Sequence, residues 1–438
     1  MSSNRLDAEL SLFDPLGPST MHCPVAVEYA SMRAECPVFY VAALDLFLVT
    51  RYDLVCEVVR DPVTFSSATI RFNMPKSREE YKKVAAVIAD GYPRIPTLLS
   101  ADPPAHTRYR RFVSKAFSPK AIAGLEPLIR SIATRLIDEW VGARRIDFVA
   151  EFALPLPMEV IAAALSVPDE RLDDAKRWSE QSNVAFGATP SLEVRVEGQR
   201  GVNELQRFFA DAIEQRRREP QDDLLTSLLN VRIEDEGGDT VEARELDLPE
   251  MLSIVHSLLV GGNETTTKML AEMMRRLAND ADLWDRVRGD PSLIPLMVEE
   301  ALRLGSPAAG SWRIATRDVE LGGVVIPKGS QVIPLFGSAN HDEQVFEDAE
   351  TFDPYRPELH EHVAFGRGVH TCPGAALTRL EGRVALEELA ARLGTLVLSE
   401  TNDFSYNPSY LLRGLTRLDL DIETGRSGAV EPVGINPA

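Results

Sequence analysis

Cysteine is scarce in this chain. Cys23, Cys36, Cys56 and Cys372 are the only four in 438 residues, they lie far apart, and no two form a C-x-x-C pair. That spacing excludes a disulfide framework and a multi-cysteine zinc site, and it suits a reducing cytoplasm. Basic residues are also in short supply: 47 Lys plus Arg face 67 Asp plus Glu, a formal charge of −20. Nucleic acid and anionic lipid are therefore not expected partners, because both need a broad positive face. No stretch approaches about 18 uninterrupted apolar residues. The opening MSSNRLDAELSLFDPLGPST lacks the basic start and apolar run of a secretory leader, so neither a membrane span nor export is expected. No period of about 20–50 residues repeats, which argues against solenoids and propellers. What is present is ordinary globular usage, 44% hydrophobic and 26% charged, enough for a sizeable core.

Apolar residues recur mostly at spacings of three and four, which predicts helices over 108–116, 121–140, 157–165, 202–217, 248–278 and 293–304. Extended segments are fewer. FYVAALDLFLVTR predicts an early hairpin, GGVVIPKGSQVIPLFG a pair of strands broken at Pro-Lys-Gly, and LLRGLTRLDLDIE an extended C-terminal stretch. The fold class that follows is mainly α with a minor β sheet region. Length alone allows two or three domains of about 150 residues. With no linker or shift in composition, a single domain over 21–425 is expected, between an N-terminal tail at 1–20 and a C-terminal tail at 426–438.

One loop is unlike the rest. FGRGVHTCPGAALTRLEGRV, from Phe365 to Val384, reads as a tight turn feeding a helix. Gly366 and Gly368 permit unusual backbone angles, Pro373 suits a first helical position, and Leu377, Leu380 and Val384 follow at helical spacing. Cys372 then falls at or just before a helix N-terminus, where unpaired amides and the helix dipole favour a thiolate. Such a sulfur suits a nucleophile or a metal ligand; a buried, inert cysteine is the alternative. The pattern F-G-x-G-x-H-x-C-x-G is far more restrictive than a lone cysteine, and it resembles the haem-binding loop of the cytochrome P-450 family, the haem-thiolate monooxygenases. The resemblance implies heme b with Cys372 as the iron ligand. Phe365, Gly366 and Gly374 would lie around the cofactor, in a triangular prism with a long distal helix over the haem.

Other motifs stand in the family's order. MLSIVHSLLVGGNETTTKML is an apolar helix interrupted by Gly261 and Gly262, each costing about 1 kcal/mol relative to Ala. The pair either tolerates a kink or lets a ligand approach. It resembles the family's A/G-G-x-D/E-T motif, which implies that Gly262 faces the cofactor and that Glu264 and Thr265 deliver protons. Glu300 and Arg303 share one helical face where the family carries E-x-x-R, and Arg356 in FDPYRP matches the Arg that joins them; their role would be structural. His106 and Arg110 match H-x-x-x-R, and with Arg313 and His370 complete the set that holds the haem propionates. One departure is His341, where family members commonly carry Arg. His256, about a turn before the glycines, is expected to pack away from the iron.

On this resemblance the chain is a haem-dependent monooxygenase. It would insert one oxygen atom of O2 into a small hydrophobic substrate, by hydroxylation, demethylation or epoxidation, with electrons from a ferredoxin or flavodoxin-type donor. The basic cluster Arg108, Arg110, Arg111, Lys115 and Lys120 is either a docking patch for that donor or a solvated face. Phe72, Leu98, Leu259, Gly262, Ala308, Ala309 and Tyr410 are expected to line an apolar substrate pocket. Arg71, Arg94 and Tyr410 are possible anchors for a carboxylate or carbonyl. Steroid, terpenoid, fatty acid and aromatic acid all stay open as substrates. Rival readings are a peroxide-driven peroxygenase, a haem-based sensor and a cysteine hydrolase.

Overall fold

The central element is the helix Leu248–Ala278, which spans the range predicted for it. Asp247 accepts from the Glu250 amide at 2.9 Å while Glu250 accepts from the Asp247 amide at 2.9 Å, a reciprocal cap that fixes where the helix starts. Its 31 residues make a rod of about 46 Å. This computed structural model describes residues 28–68, 77–140, 142–184, 190–221, 223–230, 245–407 and 409–424. Both expected tails, the boundary at residue 21, Arg71 and Phe72 lie outside the described residues.

Around the central helix pack Pro155–Ala164, Leu172–Asn183, Leu192–Arg218, Ile294–Gly305 and Ala375–Arg392. Two apolar clusters fill the spaces between them, one on each half of the rod. The single helix expected over 121–140 is two, Pro119–Gly124 and Glu126–Trp140. Pro127 has no amide hydrogen for the carbonyl four residues back, so the ladder cannot run through. The helix expected over 202–217 instead begins at Leu192, where Ser191 accepts from the Val194 amide. Its polar first half hid it, and so did Gly198 and Gly201. These glycines do not break the helix; a Cβ on Gly198 would come within 2.7 Å of the Gln181 carbonyl, so they bring two helices close together.

The sheets are small. A five-stranded sheet contains β1 (Val38–Val41), β2 (Leu46–Val49), β3 (Phe65–Ser66), β5 (Arg313–Ala315) and β8 (Gln331–Pro334) in the order β1-β2-β8-β5-β3. The early hairpin forms as expected, and β2 then pairs in parallel with β8. A second sheet holds β4 (Arg145–Asp147), β9 (Leu393–Leu398) and β10 (Asp419–Thr424), and β6 (Val319–Leu321) with β7 (Val324–Ile326) makes a third. The break at Pro327-Lys328-Gly329 does not fold β7 back onto β8. The turn is instead at Gly322 and Gly323, whose φ values of +56° and +81° join β6 to β7, freeing β8 for the larger sheet. Of the extended stretch expected over 411–423, only Asp419 onward is strand; Leu412 and Leu415 make isolated bridges to Ala308 and Tyr406.

Glu300 and Arg303 lie in Ile294–Gly305 and are both 0% exposed. Arg303 grips the Glu300 carboxylate through Nε at 2.8 Å and Nη2 at 2.7 Å. Its Nη1 also donates to the carbonyls of Asn340 and Ala349. Arg356 donates from Nε to Glu300 at 3.2 Å and from its other nitrogens to the carbonyls of Glu347 and Thr351. Every donor is spent, as a buried ion network requires. His341 works in the same layer, with Nε2 against the Leu304 carbonyl at 3.0 Å and Nδ1 against Glu350 at 2.8 Å, so it ties the helix end to the following meander as a longer cation would. Removing one partner should therefore be severe. Glu300→Gln should destabilise the fold by about 3–5 kcal/mol, read as a shift of the urea midpoint, whereas changing Arg145, exposed beside Asp421, should leave the midpoint near wild type. Equal midpoints for the two variants would contradict a buried network.

Candidate functional site

The Phe365–Gly374 loop is held before it meets any ligand. The Cys372 amide donates to the Phe365 carbonyl at 2.9 Å, and Gly366 donates to Val363 at 2.8 Å. Gly366 and Gly368 have φ of +65° and +74°, a left-handed region that favours glycine. At Gly368 there is a second reason, since a Cβ would come within 2.6 Å of the Val59 carbonyl. The following helix starts at Ala375 with Gly374 at its N-cap, so Pro373 precedes the cap and is not the first helical residue. Cys372 Sγ nevertheless receives the Gly374 and Ala375 amides. Burial pushes the thiol up, while those amides and Arg110 pull it back. The site thus favours an anionic sulfur once a cation replaces the proton.

Sequence reading missed how the loop is braced. Arg379 lies 4.7 Å over the Phe365 ring and donates from Nη2 to Glu299 at 2.8 Å. His362 Nε2 meets the same carboxylate at 2.9 Å while its Nδ1 accepts from the Ala364 amide. Glu299 is the first acid of the doublet in VEEALR, and only its neighbour Glu300 belongs to the motif, so no pattern in the sequence distinguished it.

A second group of polar residues gathers nearby. The His106 ring packs against that of His370, tilted by 48° with centroids 4.1 Å apart. Burial and then Arg110 depress His106; burial, Arg313 and His106 push His370 to about 4. Both imidazoles are therefore neutral near pH 7. Arg313 is 4% exposed and is pushed by burial to about 10. It uses Nη1 on Ser311 and the Trp312 carbonyl, and its other nitrogens meet no protein acceptor among the described residues. Arg110, lowered by burial, likewise has none. Asp102, the acid whose charge His106, His370 and Arg313 feel, is occupied by Ser66 and the Ser67 amide. Two desolvated guanidiniums with unspent donors call for an anion. His370 differs from its expected role: Nδ1 faces the Leu98 carbonyl at 3.1 Å and Nε2 faces Ser67 at 3.0 Å, so both ring nitrogens are already used.

On the central helix Ser253, His256, Ser257, Val260, Gly261, Gly262, Glu264 and Thr265 are incompletely buried, and all of these but Gly262 repeat at three and four residues. They form one stripe fronting an internal space. Gly261 has no atom within 4 Å of a would-be Cβ, whereas at Gly262 that atom would meet Ile161 at 2.8 Å. Gly262 therefore serves helix packing, and Gly261 is the glycine on the open side. Leu259, also expected in the pocket, is 0% exposed within the apolar core. The helix is continuous through the glycines, not interrupted. Thr265 Oγ1 donates to the Gly261 carbonyl at 3.2 Å and Thr267 to that of Asn263 at 3.1 Å. Glu264 is ion-paired to Lys268, a nearly buried lysine that the motif did not flag.

The remaining pocket expectations scatter. Leu98 is buried, and its carbonyl serves His370. Ala309 donates to the Leu411 carbonyl at 2.8 Å and Ala308 bridges Leu412. Tyr410 packs with Tyr29 and Met32 beneath the five-stranded sheet, edge-on to Trp312. On the other side of the central helix, Thr266 meets Thr378 at 3.3 Å, and Glu381 is fully buried, with burial pushing its carboxyl well up.

The Glu299 brace has a pH signature. Burial alone would raise this carboxyl, but Arg379 and His362 hold it at about 2 against an ordinary 4.5. A depressed carboxyl stabilises the fold fully above about pH 4.5 and progressively less as pH falls toward 2. Wild type should therefore lose about 3 kcal/mol relative to Glu299→Gln across that window, measured as the difference between their urea midpoints at each pH. Parallel acid limbs would refute the brace.

The donor set fits a flat dianionic cofactor whose metal prefers a thiolate: Cys372 on one side, and Arg110, Arg313 and His106 at one edge. Comparison with known proteins agrees. The family model described as Cytochrome P450 matches residues 292–405. Cytochrome P-450 107B1 of Saccharopolyspora erythraea is 37% identical over 397 residues, covering 89% of this chain and 93% of that protein. The 6-deoxyerythronolide B hydroxylase of the same organism is 34% identical, covering 90% and 95%. The structure of cytochrome P-450 CYP109Q5 from Chondromyces apiculatus superposes with a TM-score of 0.81 at 33% identity, over 94% of this chain and 98% of that one. The chain belongs to the cytochrome P-450 family, an oxidoreductase that uses heme b, dioxygen and a redox partner.

Proposed function

We propose that this monooxygenase inserts one oxygen atom of O2 into a small hydrophobic substrate in the cytoplasm, with residues 21–425 acting as one catalytic domain and a ferredoxin or flavodoxin-type protein supplying electrons. The observation that carries this reading is the Cys372 sulfur, met by two amides at the mouth of a glycine loop. Cys372 would hold the iron, and Arg110, Arg313 and His106 the propionates. When bound, the haem supplies the binding and reductive activation of dioxygen.

The chain's own residues do the rest. Glu264 is tethered by its ion pair with Lys268; turning away from Lys268 would bring its carboxylate toward the open side of the helix, where it would pass a proton inward. Thr265 Oγ1 exchanges its bond to the Gly261 carbonyl for an acceptor in the internal space. The apolar packing of Leu258, Leu259 and Ile161 limits water behind this stripe. Among the described residues Cys56 and Cys372 form no disulfide, which supports a reducing compartment. Solved relatives hold ligands as different as testosterone and (4-ethylphenyl) dihydrogen phosphate, so the substrate must be read from this chain's own residues.

Of the basic cluster at 108–120, only part faces outward. Arg108 pairs with Glu250 at 3.3 Å and Arg110 faces inward beside Cys372. Arg111, Lys115 and Lys120 are exposed, and Lys120 directly follows Pro119, which with Ile122 and Arg379 lines a cleft. An acidic donor would dock there by charge complementarity.

Two measurements test the proposal. The reduced carbonyl complex should show the strongly red-shifted Soret band of thiolate ligation, and Cys372→Ser should lose it; an unchanged band in the variant would sink the assignment. Arg111→Gln with Lys115→Gln should slow electron transfer from an acidic ferredoxin at low salt and flatten its ionic-strength dependence. An identical salt profile would place the donor elsewhere.

A further inference from the structure

At the end of the stripe away from Thr265 the central helix turns polar, with Ser253, His256 and Ser257 on the open face. His256 Nε2 lies 3.1 Å from Ser182 Oγ on Leu172–Asn183. One turn earlier on that helix, Ser179 accepts from Asn263 at 2.8 Å, and Asn183, i+4 from Ser179 and hence on the same face, has an amide nitrogen that is buried and unbonded. Opposite them runs the irregular segment Gly91–Thr97, and it is pinned. The Tyr92 amide donates to Gln206 at 3.0 Å, Gln206 donates back to the Tyr92 carbonyl at 3.1 Å, and the Ile95 amide donates to Ser253 at 3.0 Å.

Arg94 sits between those two anchors. Arg94 is exposed, yet burial depresses the guanidinium and its charge is felt by His256, which burial and Arg94 together push to about 3. A side chain that is both reachable and desolvated faces an internal space, not bulk water. Among the described residues Arg94 has no hydrogen-bond or ion-pair partner, and no carboxylate of theirs offsets its charge. A desolvated cation with no partner among the described residues, on the same face as a neutral imidazole and an unspent amide, is suited to receive an anion.

We propose that the substrate carries a carboxylate that Arg94 binds, with His256, Ser182 and Asn183 as neutral hydrogen-bonding neighbours. This rests on the monooxygenase reading and narrows its substrate class. It also sets a distance. His256 and Thr265 are nine positions apart on one helix, a rise of about 13 Å, so the oxidised carbon lies at the apolar end of an elongated monocarboxylic acid, far from its acid group.

The test compares dodecanoic acid and 4-heptylbenzoic acid with their methyl esters, by spin-state titration of the holoenzyme and by equilibrium dialysis of the same acids. Wild type should bind at least one acid about tenfold to a hundredfold more tightly than its ester, the range of a charge-assisted hydrogen bond. Arg94→Gln should abolish that preference while keeping the ester's affinity and the carbonyl spectrum; Arg94→Lys should restore part of it. No preference in wild type for either acid, or a preference that survives Arg94→Gln, overturns the proposal. Loss of the red-shifted carbonyl band in wild type would instead sink the haem-thiolate reading, and dialysis would then still decide whether Arg94 binds the acid.

Discussion

Holding a sulfur anion inside a protein is electrostatically unfavourable, and much of this structure offsets that one penalty. The amides of Gly374 and Ala375 reach Sγ because Gly366 and Gly368 let the loop turn back on itself. The loop stays put because Arg379 clamps the Phe365 ring and is itself fixed by Glu299 and His362. Beneath that layer the Glu300, Arg303 and Arg356 network leaves no polar group unmatched. In a chain of net charge −20, cations have been concentrated where anions must sit, beside the sulfur and at the Arg110–Arg313 edge.

The Cys loop, the central helix and the buried Glu/Arg network were legible in the sequence because each depends on residues close together in the chain, or on a motif whose spacing is fixed by helix geometry. What the sequence could not show was direction. Gly261 and Gly262 look equivalent on paper, yet only a partner helix carrying Ile161 determines which of them is packing and which is open. Leu259 reads as pocket lining by proximity to those glycines and is core because of its phase on the helix. His370 is in the right motif but spends both nitrogens on Leu98 and Ser67, residues nearly three hundred positions away. The long helix Leu192–Arg218 was half hidden by glycines that act as contact points. In each case tertiary neighbours override a local signal.

The central helix carries opposite duties on its two sides. One side is buried and largely apolar against Pro155–Ala164 and Ala375–Arg392; the other is a stripe that changes from hydroxyl and imidazole at Ser253 and His256 to glycine and acid at Gly261 and Glu264. Three carbonyls near that change, those of Gly261, Asn263 and Glu264, accept from side chains of Thr265, Thr267 and Lys268 as well as lying in the helical ladder. Shared carbonyls of this kind favour bending and exchange of partners, which suits a place where protons move.

The parallel pairing of β2 with β8 has a consequence for biogenesis. Leu46 lies beside Gln331, about 285 positions later, so the N-terminal hairpin has its β1 partner early but must wait for its sheet. At a translation rate of about 5–20 residues per second, that edge stays uncovered for roughly 15 to 60 s while the ribosome works. An apolar Leu-Phe-Leu-Val edge left unpaired that long is a template for aggregation, so the nascent chain has reason to depend on a chaperone early in its synthesis.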